Sequence, residues 1–328
     1  MRARIIGTGG YVPERVKTNA EVAERLGISE SWIVERTGIR ERRIAALDET
    51  TSMMALKAAH GALEMAALQP KDLDLIIVAT VTPDSPTPST AARLQGMLGA
   101  VNAFAFDLSA ACSGALTAIT VAEQFIRTGV IKRALVVGAE VLSRIIDWDD
   151  RDTAILFGDG AGAVILEASP DDGPGILSRH MHTDGTLVPV LNIPAPGSAI
   201  AATDPRIAQN PRLTTLYMNG REVFKSAVKT MTSSAVELVE EAGLPIEHVE
   251  HVMGHQANIR IIQSVMSRIG LPVERCHINL DRYGNTSAAS IPLLIDEGAR
   301  KGAFQRGDHL LCLAAGAGLV WGGFLLEW

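Results

Sequence analysis

The sequence is poor in aromatic residues, cysteine and positive charge, and each shortage closes off a class of function. Phe, Trp and Tyr make up 4% of the 328 residues, too few for a surface on which nucleic-acid bases stack. Lys and Arg number 30 against 37 Asp and Glu, a net charge of −7, so no general attraction to nucleic acid is expected. Cys112, Cys276 and Cys312 are too few, and odd in number, for a disulfide framework. They suit a reducing compartment. The apolar stretch near the N-terminus is too short for a signal peptide. No apolar run approaches the ~20 residues of a membrane span. A cytoplasmic protein with neither nucleic-acid nor membrane partner is the expectation.

What is present is a chain with 47% hydrophobic residues, enough for a large core and incompatible with disorder or a collagen-like scaffold. Short, wholly apolar runs alternate with helical stretches. Leu75-Ile76-Ile77-Val78-Ala79 follows a helical segment over 51–67, and Ala134-Leu135-Val136-Val137 follows another over 113–127. Runs of this kind read as strands buried on both faces of an α/β architecture.

The pattern occurs twice. The segment from Ala66 to Ile76 (helix end, turn, acidic residue, apolar strand) returns 176 residues later from Ala242 to Val252. Phe106-Asp107-Leu108 leads to Cys112, as Ile278-Asn279-Leu280 leads to Asn285, and Gly162–Glu167 is echoed by Gly322–Glu327. Two similar α/β halves are expected, 1–172 and 173–328, joined through the turn-rich stretch 168–175. A region over 192–213 with four prolines reads as a lid or binding loop.

In open α/β sheets, sites form beyond the carboxyl ends of the strands, and two packed halves bring corresponding strand ends together. Three turns there carry reactive residue types: Ala110-Ala111-Cys112-Ser113-Gly114, Gly254-His255-Gln256-Ala257-Asn258 and Tyr283-Gly284-Asn285-Thr286-Ser287. Cys112 opens a helix among small neighbours. The helix N-terminus is expected to lower its thiol pKa, and free backbone N–H groups there can hold an oxyanion. Cys276 and Cys312, in apolar runs, read as structural. Gly7-Thr8-Gly9-Gly10 lacks the third glycine and following helix of a dinucleotide loop. Gly158-Asp159-Gly160-Ala161-Gly162 reads as close backbone packing. No HExxH or paired CxxC motif occurs, so no metal is expected.

These motifs, with Trp32-Ile33-Val34-Glu35-Arg36-Thr37-Gly38-Ile39-Arg40 and Gly284-Asn285-Thr286-Ser287-Ala288-Ala289-Ser290, resemble 3-oxoacyl-[acyl-carrier-protein] synthase III, the initiating condensing enzyme of type II fatty-acid synthesis, over nearly the whole chain. The resemblance implies the thiolase-like fold, two βαβαβαββ halves in five layers, and a homodimer. It implies a Cys-His-Asn triad on Cys112, His255 and Asn285, with backbone N–H groups of Cys112 and Ala317 as an oxyanion hole. The reaction it implies joins an acyl-CoA primer to malonyl-acyl-carrier protein with loss of CO₂. Both are substrates, and no separate cofactor is expected. By the same resemblance Trp32 and Arg151 flank the CoA adenine, Arg36 lies near its phosphates, and Gly220 and Phe224 border the pantetheine arm. Lys225, Lys229 and Arg260 are candidates for docking the acidic carrier protein. Thr87, which by the resemblance borders the partner subunit's acyl pocket, and Ala315 stand where many members carry aromatic residues, which suggests primers longer or bulkier than acetyl. Of the arginines at 36, 40, 42 and 43, most are expected merely to solvate a surface. The alternatives are a starter-unit condensing or acyl-transfer enzyme of secondary metabolism and, in another class, a non-catalytic carrier-protein-binding subunit.

Overall fold

A computed structural model describes residues 1–328. Its apolar strands divide their side chains between two layers. Leu75, Ile77 and Ala79 of the strand Leu75–Ala79 enter the central core, while Ile76 and Val78 enter an outer one. Strand His309–Gly316 does the same, sending Leu310, Cys312 and Ala314 inward and Leu311 and Leu313 outward. A strand covered on both faces has no polar side to alternate with, which is why these runs lack the alternation of half-exposed sheets.

The first sheet orders strands Arg2–Tyr11, Gly160–Ser169, Arg133–Glu140, Leu75–Ala79 and Phe104–Leu108; the second orders His251–Gly254, His309–Gly316, Val320–Glu327 and Gly175–Thr183. A lone parallel bridge between Val252 and Cys276 stands where a fifth strand would extend the second sheet. Helices Gly114–Arg127 and Ser290–Arg300 lie between the sheets. Helices Thr51–Ala66 and Thr90–Leu98 cover the outer face of the first, and Gly220–Ala242 and Ile259–Ile269 that of the second. The result is the five-layered thiolase-like α/β arrangement.

The glycines near the N-terminus serve this layering. Strand Arg2–Tyr11 continues through Gly7 and Gly9, and a Cβ at either would come within 2.3 Å of a carbonyl oxygen of helix Thr51–Ala66. They allow helix-on-sheet contact and cradle no phosphate. Gly158 and Gly162 also lie against backbone, that of Tyr283 and Leu293.

Arg42 departs from the expectation of a solvating surface residue. It is fully buried, and its guanidinium donates to Asn19 Oδ1 at 2.9 Å and to the Ile155 carbonyl at 2.8 Å. Burial pulls its pKa down to about 10. The side chain backs the glycines at 158 and 284, and so supports the loop that ends in Asn285.

Candidate active site

Each half carries one sharp turn before its central helix. In the first, Ala111 adopts φ +47° in the turn Ala111–Ser113 ahead of Gly114–Arg127. In the second, Ser287 adopts φ +50° in Ser287–Ala289 ahead of Ser290–Arg300. Left-handed backbone at non-glycine residues is sterically costly and marks a constrained site. The two turns are 176 residues apart, the offset of the repeat. The structural counterpart of Cys112 is therefore Ala288, and the sequence pairing of Cys112 with Asn285 is corrected: Asn285 lies just before the second turn.

The halves interlock at these turns. A Cβ on Gly316, at the end of a strand of the second sheet, would stand 2.7 Å from the Cys112 nitrogen. One on Gly138, in the first sheet, would stand 2.2 Å from the Ala288 carbonyl oxygen. Each elbow rests on a glycine of the opposite half, and this brings the three reactive turns together. Cys112, His255 and Asn285 line one cavity of about 970 Å³, with Ser287, Ala315 and Ala317.

Hydrogen bonds fix the orientation of the polar groups. His255 follows strand His251–Gly254, its N–H bonded to the Leu313 carbonyl, and its Nδ1 lies 2.8 Å from Ser290 Oγ. When Ser290 donates, Nε2 carries the ring proton. Burial lowers the His255 pKa to about 4, so the ring is neutral at physiological pH. Asn285 accepts through Oδ1 from the Ser287 N–H at 2.9 Å, which commits its oxygen and leaves Nδ2 as the donor. Gln256 is pinned by the backbone at 254, 277, 279 and 280. Asn258 caps helix Ile259–Ile269 and also donates to the Arg36 carbonyl, tying the histidine turn to the mouth of the cavity.

The expected lowering of the thiol pKa is not what the structure shows. Burial pushes Cys112 up to about 11; a Ser287 hydrogen bond pulls it down, and the Glu140 carboxylate raises it further. Desolvation outweighs the helix N-terminus because the sulfur sits in an apolar enclosure beside a buried acid. Glu140 is the last residue of strand Arg133–Glu140 and is fully buried. It accepts from Thr80 Oγ1, Thr82 Oγ1, the Val81 N–H and Ser287 Oγ, yet burial still raises its pKa to about 7. Sequence reasoning gave no role to Glu140, Ser287 or Ser290. The signal for Glu140 was an acid ending an otherwise apolar strand. Cys276 and Cys312 are buried in the core, and burial raises both thiols.

Toward solvent the cavity passes Phe224, Gly220, Arg221, Arg260, Arg36 and Trp32. The guanidinium carbons of Arg36 and Arg151 lie 4.4 and 5.2 Å from the centre of the Trp32 ring, and that of Arg260 lies 5.8 Å from the Phe224 ring. Lys225 and Lys229 are exposed on the helix that carries Phe224. Thr87 is exposed and lies off this chain's cavity. Leu191, Asn192 and Ile193 supply another wall. They begin the proline-rich excursion, which is organised by a two-residue ribbon pairing Leu191–Asn192 with Tyr217–Met218 and by the short helix Pro205–Gln209.

The chain is similar to proteins of one family over nearly its whole length. Residues 106–185 match the family profile described as 3-oxoacyl-[acyl-carrier-protein (ACP)] synthase III, and residues 239–328 match that of its C-terminal part. The beta-ketoacyl-[acyl-carrier-protein] synthase III of Methylococcus capsulatus is 50% identical over 326 residues, covering 99% of both chains. The crystal structure of 3-oxoacyl-[acyl-carrier-protein] synthase III from Aquifex aeolicus is 44% identical, with a TM-score of 0.91 over 99% of this chain and 100% of that one. A priming beta-ketosynthase from a polyketide biosynthetic pathway is 36% identical, with a TM-score of 0.91 over 99% of this chain and 96% of that one.

Proposed function

Because this chain belongs to the 3-oxoacyl-[acyl-carrier-protein] synthase III family, we propose that it performs the initiating condensation of fatty-acid synthesis on the Cys112, His255 and Asn285 cluster. The observation that carries the assignment is the meeting of these three groups in one channel of pantetheine scale. Cys112 sulfur attacks the thioester carbon of an acyl-CoA. The carbon–sulfur bond to CoA breaks, and CoA leaves as its thiol with the proton Cys112 gave up. Malonyl-acyl-carrier protein then enters. Its carboxyl carbon–carbon bond breaks to release CO₂, and the electron pair becomes an enolate on the thioester. His255 Nε2–H and Asn285 Nδ2–H donate to that oxygen as charge develops. The carbanion attacks the acyl-Cys112 carbonyl, whose oxygen is held by the backbone N–H groups of Cys112 and Ala317. Collapse breaks the carbon–sulfur bond to Cys112 and gives 3-oxoacyl-carrier protein, and the departing thiolate takes a proton from water to return to the thiol.

Two neutral amide and imidazole donors suit an anionic transition state, where a carboxylate would repel it. Trp32, Arg36 and Arg151 are suited to the nucleotide end of CoA, since a guanidinium pairs with phosphate or stacks on a base. Gly220 and Phe224 lie along the path of the arm. Lys225, Lys229 and Arg260 offer positive charge beside the mouth of a net-negative molecule.

Intact-mass spectrometry tests the reading. Acyl-CoA should add one acyl group to the wild-type chain and none to Cys112→Ala. His255→Ala should acylate but lose condensation by about 10²–10³-fold, the cost of one oxyanion donor. Absence of an adduct on the wild type would favour a carrier-binding subunit instead. The small residues at Thr87 and Ala315 favour primers larger than acetyl. Competition across acyl-CoA lengths decides this; equal turnover of acetyl-CoA and octanoyl-CoA, or preference for acetyl-CoA, counts against it.

A further inference from the structure

Away from the catalytic cavity, the strand Gly175–Thr183 forms one edge of the second sheet and turns alternate residues toward the helix Gly220–Ala242. Ser178 Oγ bonds the Leu238 carbonyl at 2.6 Å, which fixes the face, and His180 and His182 follow on it. Glu237 of the helix lies opposite, its Oε2 3.5 Å from His180 Nε2 and 3.0 Å from His182 Nε2. The two imidazole rings stand 4.8 Å apart, and the His182 ring is stacked on Trp321 at 5.6 Å. One ligand atom from each of the three residues falls within 4.8 Å of the others.

This spacing suits a transition metal. Zinc–nitrogen and zinc–oxygen bonds of about 2.0–2.2 Å put the ligands of a tetrahedral centre roughly 3.3–3.6 Å apart, and small rotamer changes bring these atoms there. His180 Nε2 is buried and makes no hydrogen bond, a costly condition that a metal bond would relieve. Glu237 and His182 are half-exposed, so an ion has access from solvent, and a water can complete the coordination.

We propose that His180, His182 and Glu237 form a surface site for a borderline divalent ion of the zinc class. Two imidazoles and one carboxylate select such an ion over magnesium or calcium, which prefer all-oxygen shells. The bound ion joins the edge strand to the outer helix immediately before the chain leaves the sheet at Asp184 to build the wall containing Leu191, Asn192 and Ile193. No sequence motif marks the site, and no metal is expected from the sequence, because two ligands are two residues apart on a strand and the third lies on a distant helix. The inference is independent of the assigned reaction.

Calorimetric titration of the full chain with Zn²⁺ tests it, in a Cys112→Ser background that removes the accessible thiol. One equivalent should bind per chain. His180→Ala/His182→Ala, and separately Glu237→Gln, should weaken binding by at least about tenfold, since even an outer-shell partner is worth that much to a metal site. Zn²⁺ should raise the Tm of the parent in proportion to its occupancy and leave the double-histidine variant unmoved. No stoichiometric binding by the parent, or undiminished binding by both the double-histidine and the Glu237→Gln chains, overturns the proposal.

Discussion

A thiol held near pKa 11 is mostly protonated at neutral pH. Below that pKa the thiolate fraction rises tenfold per pH unit. Inactivation by iodoacetamide should therefore climb without a plateau from pH 7 to 9.5, and a plateau near pH 7 would show an activated thiolate instead. Glu140→Gln keeps the side-chain shape and removes the charge that raises Cys112. It should speed alkylation at pH 8 while the wild-type profile keeps its slope. Ser290 bonds the His255 ring, and in the proposed reaction it would act by positioning that ring. Ser290→Ala should leave acyl-enzyme formation intact and slow condensation by about tenfold or more, a smaller loss than deleting the donor itself. A matching fall in acylation would mean that the substitution disturbs the cavity as a whole.

The elements that bring these residues together meet through very small contacts. Gly316→Ala would force a methyl to within 2.7 Å of the Cys112 nitrogen. Overpacking of this kind costs about 1–3 kcal/mol and shifts the elbow, so acylation should fall sharply while far-UV circular dichroism is kept. Arg42→Met should lower the unfolding free energy by about 2–4 kcal/mol, because carbonyl and amide oxygens lose a charged donor; urea denaturation measures it. The apolar strands, the small residues around Cys112 and the 176-residue offset were all legible in the sequence, because burial and close packing leave compositional marks. The turns themselves were not. Left-handed backbone falls on Ala111 and Ser287, where neither residue advertises it, and that is why Asn285 was matched to Cys112 in place of Ala288. The pKa shift of the thiol was also misjudged: helix position can be read along the chain, whereas desolvation and Glu140 depend on how the chain packs. Arg42 looks like the exposed Arg36 and Arg40 until the fold closes over it.

At the scale of the whole molecule, the exposed edge strand Phe104–Leu108 carries apolar side chains at the end of the first sheet. Phe104 of this strand is 46% exposed, and Val101 and Met97, just before it in the chain, are 75% and 45% exposed. Asp107 of this strand caps the helix that follows the Thr87 loop, so Thr87 stands beside the same edge. An unpaired apolar edge invites pairing with another chain. Sedimentation should give a dimer, with Phe104→Lys shifting it toward monomer. Acid should weaken the fold through imidazoles that burial, full at His255 and partial at His277, keeps neutral. His277, like His255, is lowered by burial to about 4. A folded-state pKa below the unfolded one gives stability that is full above about pH 6.5 and lost as pH falls toward 4. The slope of unfolding free energy against pH in that window should be shallower in His277→Asn than in the wild type.

The wall over residues 191–193 belongs to a side excursion, anchored where it leaves one sheet strand and where it joins one outer helix, and it contributes no rung to either main sheet. Mutations there can lengthen, narrow or reroute the tunnel while the interlocked elbows keep the sulfur, ring and amide in register. This stretch of wall is therefore free to vary in shape without moving the three groups it faces.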